Sequence, residues 1–197
     1  MIKVAVTGNI ASGKSEVQNI LVEKGYKVLD TDIVAHKLLN EYGSEIRSIF
    51  KDFDISDTDG KISREKLGRI VFTVQKAKDK LEKYIHPKIK VQISKFFDSN
   101  MSEKIVFVSI PLLFEANMQS LFDKIILVYA NDNIRLKRLI DRNGYSDEYA
   151  LKRLNSQDSQ DKKSALCNYV ILNNSDIDRL KTSVLETLTK ITQDGLN

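Results

Sequence analysis

The chain contains 197 residues, of which 42% are hydrophobic and 29% charged, with a net charge of +4 and one cysteine. This length fits one domain with small appendages, no apolar run reaches the ~18 residues of a membrane span, and one cysteine cannot form an internal disulfide. Basic and acidic residues are interleaved rather than gathered in a basic stripe, so we expect a small anionic substrate and no nucleic-acid or membrane partner. The single cysteine is typical of a reducing compartment, so we expect a cytoplasmic protein.

Four short runs rich in β-branched residues predict strands, Tyr26 to Asp30 after Gly25 is a fifth and weaker candidate, and helical patterns lie between them. Three of the runs are nearly continuous apolar stretches, which is typical of strands that are covered on both faces. The alternation of strands and helices indicates an α/β fold with a parallel sheet. The predicted strands are Ile2 to Thr7, Tyr26 to Asp30, Ile105 to Ile110, Ile125 to Tyr129 and Tyr169 to Leu172.

Two helices can be bounded from the sequence. Val17, Ile20 and Leu21 keep a helical spacing after a glycine-rich turn, and Gly25 is predicted to end that helix. The last helix is expected to have Asp176 or Ser175 as its N-cap. Its apolar stripe is predicted to face the core and consists of Ile177, Leu180, Val184, Leu188 and Ile191.

Residues 43–100, approximately, interrupt the alternation because they contain helical patterns and no strong strand. An insertion of this kind at one edge of an α/β sheet is a natural place for a substrate to bind. We therefore predict a helical acceptor-binding insertion within a single domain that spans residues 1–197. No Pro- or Gly-rich linker flanks it, so we expect it to pack on the core.

Eight residues near the amino terminus fit the pattern G-x-x-x-x-G-K-[ST], with a predicted strand before them and a helix after them. Small residues let backbone N–H groups surround phosphate oxygens, and the helix N-terminus adds positive potential. Lys14 would reach the β- and γ-phosphates of ATP, and the Ser15 hydroxyl would bind Mg²⁺. The alternative is a glycine turn used only for packing. The motif is Gly8, Asn9, Ile10, Ala11, Ser12, Gly13, Lys14 and Ser15.

Two carboxylates, Asp30 and Asp32, follow the second predicted strand. In an extended chain, residues i and i+2 point the same way, roughly 6.6 Å apart, so both would face the cleft above the carboxyl edge of the sheet. Phosphoryl transfer to an alcohol needs such groups, with Asp32 as the base and Asp30 as a water-mediated Mg²⁺ partner. The alternative is that Asp30 or Thr31 caps a helix that begins near Ile33.

The segment from Asp57 to Ser63 resembles a calcium-binding loop, but the position of Gly60 would require ligands at Ile55 and Lys66, which cannot serve. We therefore interpret it as a polar turn.

Arg138 and Arg142 are four residues apart and share one face of a predicted helix. Arginines on a helical lid can neutralise the charge that develops on a transferred phosphoryl group. A solvated amphipathic helix is the alternative for this segment.

Taken in order along the chain, these motifs resemble the dephospho-CoA kinase family, a group of P-loop kinases. The likeness extends nearly from end to end, and the order of its elements is specific to that family. It includes Val6 to Ser15, Asp30 to Asp32 with Ala35 and His36, Asp59 to Arg64, Leu81 to Pro87, Pro111 to Glu115, Arg138 with Arg142, Arg153 with Gln157, and Val170 to Asn174.

This resemblance implies a three-layer P-loop NTPase fold with five parallel strands, a helical substrate-binding insertion and a lid at about residues 138–160. It implies transfer of the γ-phosphate of ATP to the ribose 3′-hydroxyl of dephospho-CoA, giving coenzyme A, by a monomer or weak homo-oligomer. The implied catalytic residues are Asp32, Lys14 and Arg142. Besides the loop, Glu16, Arg142 and Asn173 would contact the nucleotide, and Asp32, His36, Arg64, His86 and Pro87 would contact the acceptor.

The chain departs from the family pattern at several positions. Asn9 and Ala11 stand where glycines are usual; Ala11 is small, and asparagine tolerates left-handed backbone, so we expect the loop to keep its shape. Arg135 replaces a common glutamine, and His36 replaces a frequent arginine and could contact phosphate when protonated. For His86 with Pro87, the alternative is that they only cap and break a helix.

Two other functions remain open at this point. Another P-loop kinase, acting on a nucleoside monophosphate or a shikimate-like alcohol, would keep the chemistry and change the acceptor. A nucleotide-binding switch without catalysis would have no need for the Asp30 and Asp32 pair.

Overall fold

The computed structural model describes residues 1–195, so the last two residues of the predicted 1–197 domain lie outside the described residues. The chain divides into two compact units. One unit comprises residues 1–30 with the chain from Phe97 onward, and the other comprises Thr31–Phe96. None of the described helices combines the length and the apolar character that crossing a membrane requires.

The first unit is built on a five-stranded sheet in which every neighbouring pair is parallel, as the sequence predicted. The strands are β1 (Ile2–Thr7), β2 (Lys27–Asp30), β3 (Ile105–Ser109), β4 (Lys124–Tyr129) and β5 (Tyr169–Leu172). Their order in the sheet is β2-β3-β1-β4-β5, so the strand that leads into the glycine-rich loop is the central one. The second strand begins one residue later than predicted, the third ends one residue earlier and the fourth begins one residue earlier.

The α-helices of residues 1–195 are distributed unevenly between these strands: four lie between β2 and β3, none lies between β3 and β4, and three lie between β4 and β5. In chain order they are α1 (Lys14–Glu23), α2 (Thr31–Glu41), α3 (Gly43–Ile49), α4 (Arg64–Thr73), α5 (Gln75–Asp98), α6 (Asp132–Asn143), α7 (Asp147–Asn155), α8 (Gln160–Ser164) and α9 (Ile177–Asp194).

The core of the first unit lies between the sheet and the helices α1 and α9. Val4 and Val6 of β1 belong to this cluster, and Ala5 between them is also fully buried. Because successive residues of a strand point to opposite faces, β1 is covered on both sides. The buried stripe of α9 consists of Leu180, Val184, Leu188 and Ile191.

Ile177, which the sequence analysis assigned to the same stripe, is 41% exposed, so that part of the prediction was wrong. The residue opens α9, immediately after its N-cap Asp176, whose side chain accepts a hydrogen bond from the N–H of Arg179. At the first helical position its side chain projects beyond the packed face of the helix, beside a pocket described below.

The second unit has its own core, formed by α3, α4, the start of α5 and the turn between α3 and α4. Its buried apolar residues are Ile46, Phe50, Ile55, Ile62, Leu67 and Ala77. The predicted polar turn at Asp57 is present: the Asp57 carboxylate accepts hydrogen bonds from the N–H groups of Asp59 and Lys61. Pro87 lies inside α5, which continues past it, so the alternative in which His86 and Pro87 break a helix is wrong.

Gly25 ends α1 as predicted, in a Schellman arrangement. Its N–H donates to the carbonyl of Val22 and the N–H of Tyr26 donates to the carbonyl of Leu21. The φ of Gly25 is 85°, a conformation that residues with a Cβ atom rarely adopt. This turn sends the chain from α1 directly into β2.

We expect the Gly25→Ala variant to be less stable by about 1 kcal/mol, because alanine is strained at this φ. A Cβ at residue 25 would meet no atom within 4 Å, so the loss would be purely conformational. Gly68 inside α4 is the matched control, since it also has open space around its Cα. Gly68→Ala should stabilise by roughly 0.5–1 kcal/mol. Urea unfolding of both variants checks the pair, and equal effects of the two changes would contradict the assignment.

Candidate active site

The loop between β1 and α1 is tight at both of its glycines. A Cβ atom at Gly8 would lie 2.8 Å from the carbonyl oxygen of Val128 in β4. Gly13 has a φ of 94°, and a Cβ there would overlap the side-chain amide nitrogen of Asn173. The loop therefore passes against the neighbouring strand and then turns sharply so that α1 begins at Lys14. Its backbone N–H groups and the N-terminus of α1 form a ready site for an anion.

The two departures from glycine behave differently from the expectation. Ala11, not Asn9, takes the left-handed backbone, with a φ of 61°, so the conformational explanation for Asn9 was wrong. Ala11 packs with Ile10 against an apolar cluster of α6 and α7 that includes Leu139 and Leu154. This packing offsets the cost of about 1–2 kcal/mol that an L-residue incurs in this region.

Lys14 is buried, and its ammonium donates a hydrogen bond of 2.7 Å to the hydroxyl of Ser109. Ser109 is the last residue of β3, the strand that lies between β1 and β2. The register places Ser109 opposite Val6 on one side and Asp30 on the other. Lys14 and Asp30 are therefore both neighbours of Ser109 at the carboxyl edge of the sheet.

Asp30 and Asp32 do not share an extended segment, so the geometry that we inferred for them was wrong. β2 ends at Asp30 and α2 begins at Thr31, which places Asp32 in the first turn of a helix. The helix begins two residues earlier than expected because the polar residues after β2 favour a helical first turn, in which an acidic side chain also suits the helix dipole. Asp32 is exposed, whereas Asp30 is partly buried at the sheet edge.

The donors available to a divalent cation in the first unit are oxygens. Ser15, the second residue of α1, has an exposed hydroxyl, and Asp30 contributes a carboxylate at the end of β2. Among residues 1–195, no three His, Cys, Asp or Glu side chains gather into a metal site. A sparse all-oxygen set fits Mg²⁺, which keeps several waters and binds mainly through substrate phosphates.

A pocket of about 430 Å³ opens beside the loop. Arg138 of α6 lines it and donates to both the backbone and the side-chain oxygen of Asn173, at 3.0 and 3.4 Å. Asn173 in turn donates to the carbonyl of Ser12 at 2.8 Å. The pocket combines this polar wall with apolar side chains of α9, and its lining is Gly13, Glu16, Arg138, Asn173, Ser175, Ile177 and Leu180.

Arg142 lies one turn beyond Arg138 on α6 and is exposed, with its Nε donating to Asn143. The described contacts connect Arg138, rather than Arg142, to the loop. The segment predicted as a lid contains the second half of α6 and all of α7. The apolar faces of these two helices pack on each other through Leu139, Ala150 and Leu154. These faces also contact Ile10 and Ala11 of the loop.

A buried polar cluster lies on the other side of the loop. Arg135 of α6 donates from Nε to the carbonyl of Ile10 at 3.0 Å and from a terminal nitrogen to Asp132 at 2.7 Å. Burial lowers the pKa of Arg135, and the neighbouring carboxylate of Asp132 opposes that effect. The N–H of Ile10 donates to the side-chain oxygen of Gln157 at 2.7 Å. Lys163 donates to the side chain of Asn9 at 2.8 Å.

The remaining residues of the predicted site are divided between the two units. Glu16 lines the pocket in the first unit. In the second unit, His36 is exposed on α2 and Arg64 is exposed at the start of α4, after its N-cap Ser63. His86 and Pro87 lie in α5, and burial lowers the pKa of His86 against the opposing effect of Glu82.

Sequence reasoning gave no role to several residues that contact the loop. Ser109 could have been noticed as a polar residue near the end of an apolar run. Lys163 carried no local signal, and Gln157 was known only as part of the family resemblance, because their partners in the loop lie 154 and 147 positions away. For Arg135, the sequence showed only that it replaces a glutamine that is common in the family.

Known proteins resemble this chain over nearly its whole length. The sequence model of the family described as CoaE, dephospho-CoA kinase, matches residues 2–179. A dephospho-CoA kinase of Listeria innocua is 37% identical over 188 residues, covering 92% of this chain and 93% of its own.

Solved structures agree with the sequence match. The dephospho-CoA kinase from Campylobacter jejuni superposes with a TM-score of 0.74 at 32% identity and covers 98% of both chains. The crystal structure of TT1252 from Thermus thermophilus has a TM-score of 0.83 at 30% identity, covering 96% of this chain and 97% of that one. With a parallel α/β sheet, a glycine loop at its centre and a match from residue 2 to residue 179, the chain belongs to the dephospho-CoA kinase family.

Proposed function

We propose that this chain transfers the γ-phosphate of ATP to the 3′-hydroxyl of the ribose in dephospho-CoA, giving coenzyme A and ADP, in the last step of coenzyme A synthesis. The observation that carries this proposal is the family match over residues 2–179, which includes the loop, Asp30 to Asp32 and the pocket around Asn173.

The phosphates of ATP would bind at the loop between β1 and α1. Its close approach to β4 and its turn at Gly13 leave backbone N–H groups at the N-terminus of α1 for phosphate oxygens. Lys14 donates to the hydroxyl of Ser109 at the carboxyl edge of the sheet, and its ammonium would contact the β- and γ-phosphates of bound ATP.

The adenine of ATP would occupy the pocket beside Gly13. The pocket adjoins the loop, and its lining combines the apolar side chains of Ile177 and Leu180 with the guanidinium of Arg138, a combination that suits a purine. A guanidinium over an aromatic base contributes a cation–π attraction. Asn173 lies directly after β5 and lines this pocket, which supports the nucleotide contact predicted for it. It would contact the base or its sugar.

The acceptor chemistry would depend on Asp32. The hydroxyl oxygen of the acceptor attacks the γ-phosphorus, the bond from that phosphorus to the bridging oxygen of ADP breaks, and the hydroxyl proton passes to the Asp32 carboxylate. Asp32 is exposed in the first turn of α2, directly after the sheet edge that ends at Asp30. His36, Arg64, His86 and Pro87 in the same unit would contact the acceptor.

Mg²⁺ would be held by Ser15, by Asp30 through water and by the phosphates, and it would neutralise charge on the phosphoryl oxygens. Arg142 is proposed to add positive charge from α6 when nucleotide is bound. Its exposed position allows this role without the loss of a buried contact.

A P-loop kinase that acts on a nucleoside monophosphate or a shikimate-like alcohol would use the same phosphoryl transfer, so the acceptor must be tested directly. The protein is incubated with ATP and Mg²⁺ and with dephospho-CoA, shikimate or a panel of nucleoside monophosphates, and the products are weighed by mass spectrometry. We expect a gain of one phosphoryl group on dephospho-CoA alone. Phosphorylation of another acceptor in preference to dephospho-CoA would overturn the proposal.

For the base, Asp32→Asn should keep the KM for ATP and lower kcat by ~10²-fold or more, because the amide cannot take the hydroxyl proton. Asp52→Asn, an exposed change in the same unit, is the control and should retain wild-type kcat. A kcat for Asp32→Asn within a factor of about two of wild type would remove Asp32 from the reaction.

For the phosphate site, Lys14→Met should weaken ATP binding and lower kcat together, each by about tenfold or more, since the lysine contacts both the bound and the transferred phosphates. Lys24→Met, at the exposed C-terminal end of α1, keeps the same chemical change away from the loop. Isothermal titration with ATP and steady-state rates measure both effects. Unchanged ATP binding in Lys14→Met would exclude the proposed contact.

For the base pocket, Ile177→Glu should raise the KM for ATP by about tenfold, because it puts an unpaired charge beside the apolar face of the base. Leu185→Glu is the matched control, since Leu185 lies on the same helix and is also 41% exposed, as Ile177 is. The KM for dephospho-CoA should stay within about twofold in both variants. Equal effects of the two substitutions on the KM for ATP would place the base elsewhere.

A further inference from the structure

The first turn of the phosphate-binding loop is bonded to a segment that lies far away in the sequence. The side-chain nitrogen of Asn9 donates to the carbonyl of Asp158 at 2.8 Å, and the N–H of Ile10 donates to the side-chain oxygen of Gln157 at 2.7 Å. Lys163 donates to the side-chain oxygen of Asn9 at 2.8 Å and to Glu115 at 2.7 Å. We call Asn9, Glu115, Gln157 and Lys163 the loop clamp.

Lys163 is the centre of the loop clamp. Its side chain is 2% exposed, and that of Glu115 is 18% exposed. A buried ammonium is tolerated only when it is paired and hydrogen-bonded, so both partners are needed to keep it there. Glu115 lies in the segment after β3, and Asn9 lies in the loop after β1. By bonding to both residues, Lys163 connects the loop to the segment after β3.

The orientation of the Asn9 amide is set by its partners. Its oxygen faces an ammonium, which can only donate, and its nitrogen faces a carbonyl, which can only accept. The reverse orientation would lose both bonds. Asn9 is therefore locked in one rotamer, and a glycine at this position could make neither contact.

These contacts suggest a role for a residue that otherwise reads as a tolerated replacement of glycine. Asn9 does not need a left-handed backbone, because Ala11 and Asn117 are the non-glycine residues with positive φ among residues 1–195. Its side chain is buried and makes two bonds across 149 and 154 positions of sequence. The contacts act on the part of the loop that precedes the phosphate-facing residues.

We propose that Asn9 and Lys163 are positioning residues that hold the loop in its phosphate-binding conformation before ATP arrives. The inference rests on the proposed function insofar as it takes the loop to be the ATP site. A loop that is already ordered loses less conformational freedom on binding, so the loop clamp raises ATP affinity. It does not touch the acceptor, and phosphoryl transfer from saturating ATP is unaffected.

The test is a double-mutant cycle with Asn9→Gly, Lys163→Met and the combined variant. The dissociation constant for ATP is measured by isothermal titration without acceptor, at a temperature where thermal melts show every variant folded. We expect each single change to weaken ATP binding by about tenfold, the scale of one lost charge-assisted hydrogen bond. The effects in the combined variant should be clearly less than additive, because the two residues share the bond from Lys163 to Asn9.

Lys162→Met is the matched control, since it removes a neighbouring lysine that is exposed on the same helix. It should bind ATP as the wild type does. In steady state, Asn9→Gly should raise the KM for ATP and leave the KM for dephospho-CoA and kcat within about twofold. A merely structural role would instead lower the melting temperature and leave the ATP dissociation constant of the folded protein unchanged.

Lys163→Met leaves Glu115 buried without its partner, so the variant Lys163→Met with Glu115→Gln is made in parallel. If neither folds, Asn9→Gly decides alone, because it keeps the ion pair of Lys163 and Glu115. Wild-type ATP affinity in folded Asn9→Gly overturns the inference, as do additive effects in the cycle.

The titration also distinguishes this inference from the proposed function. Variants that weaken ATP binding in a protein that does not phosphorylate dephospho-CoA would overturn the function and support the loop clamp. Wild-type turnover of dephospho-CoA with unchanged ATP affinity in the variants would overturn the loop clamp alone.

Discussion

The turn at Gly13 is the constraint on which the rest of the structure depends. Its φ of 94° and its contact with the Asn173 amide allow only a residue without a Cβ. This turn aims the N-terminus of α1 at the carboxyl edge of the sheet, where the amides of the helix and of the loop converge. A side chain at residue 13 would displace either the loop or Asn173 after β5, and both line the pocket beside the loop.

Contacts from two directions preserve that turn. On one side, Asn173 and Arg138 bond to the loop carbonyl of Ser12 and to each other. On the other side, the loop clamp and Arg135 bond to residues 9 and 10. The loop is therefore held by α6, by the segment from Gln157 to Lys163 and by the end of β5. These bonds connect the loop to the helices after β4, so movement of those helices would displace the loop.

The parts of this fold that could be predicted from the sequence are those with a local signal. The five strands follow from β-branched runs, and the cap at Gly25 and the N-cap at Asp176 follow from residue types with special backbone or hydrogen-bonding properties. The loop motif predicted its own strand–loop–helix context. Ile177 was assigned to the core because the apolar periodicity extends to the first residue of α9, and periodicity does not show at which residue a helix stops contacting the core.

Contacts between distant segments could not be predicted in the same way. The bond between Lys14 and Ser109 spans 95 positions, and although Ser109 stands out as a polar residue near the end of an apolar run, nothing local identifies Lys14 as its partner. Asp32 was placed on an extended segment because one or two residues decide whether a strand continues or a helix begins, and sequence patterns do not resolve that boundary. The family resemblance supplied roles for residues but not the partners that hold them.

The most direct measurement is a crystal structure with a non-hydrolysable ATP analogue, Mg²⁺ and dephospho-CoA. We expect phosphate oxygens on the amides between Ala11 and Ser15, Lys14 moved from Ser109 onto the β- and γ-phosphates, and the ribose 3′-hydroxyl within hydrogen-bond reach of Asp32. A triphosphate bound away from this loop, or an acceptor hydroxyl that no conformation brings to Asp32, would contradict the proposed enzyme.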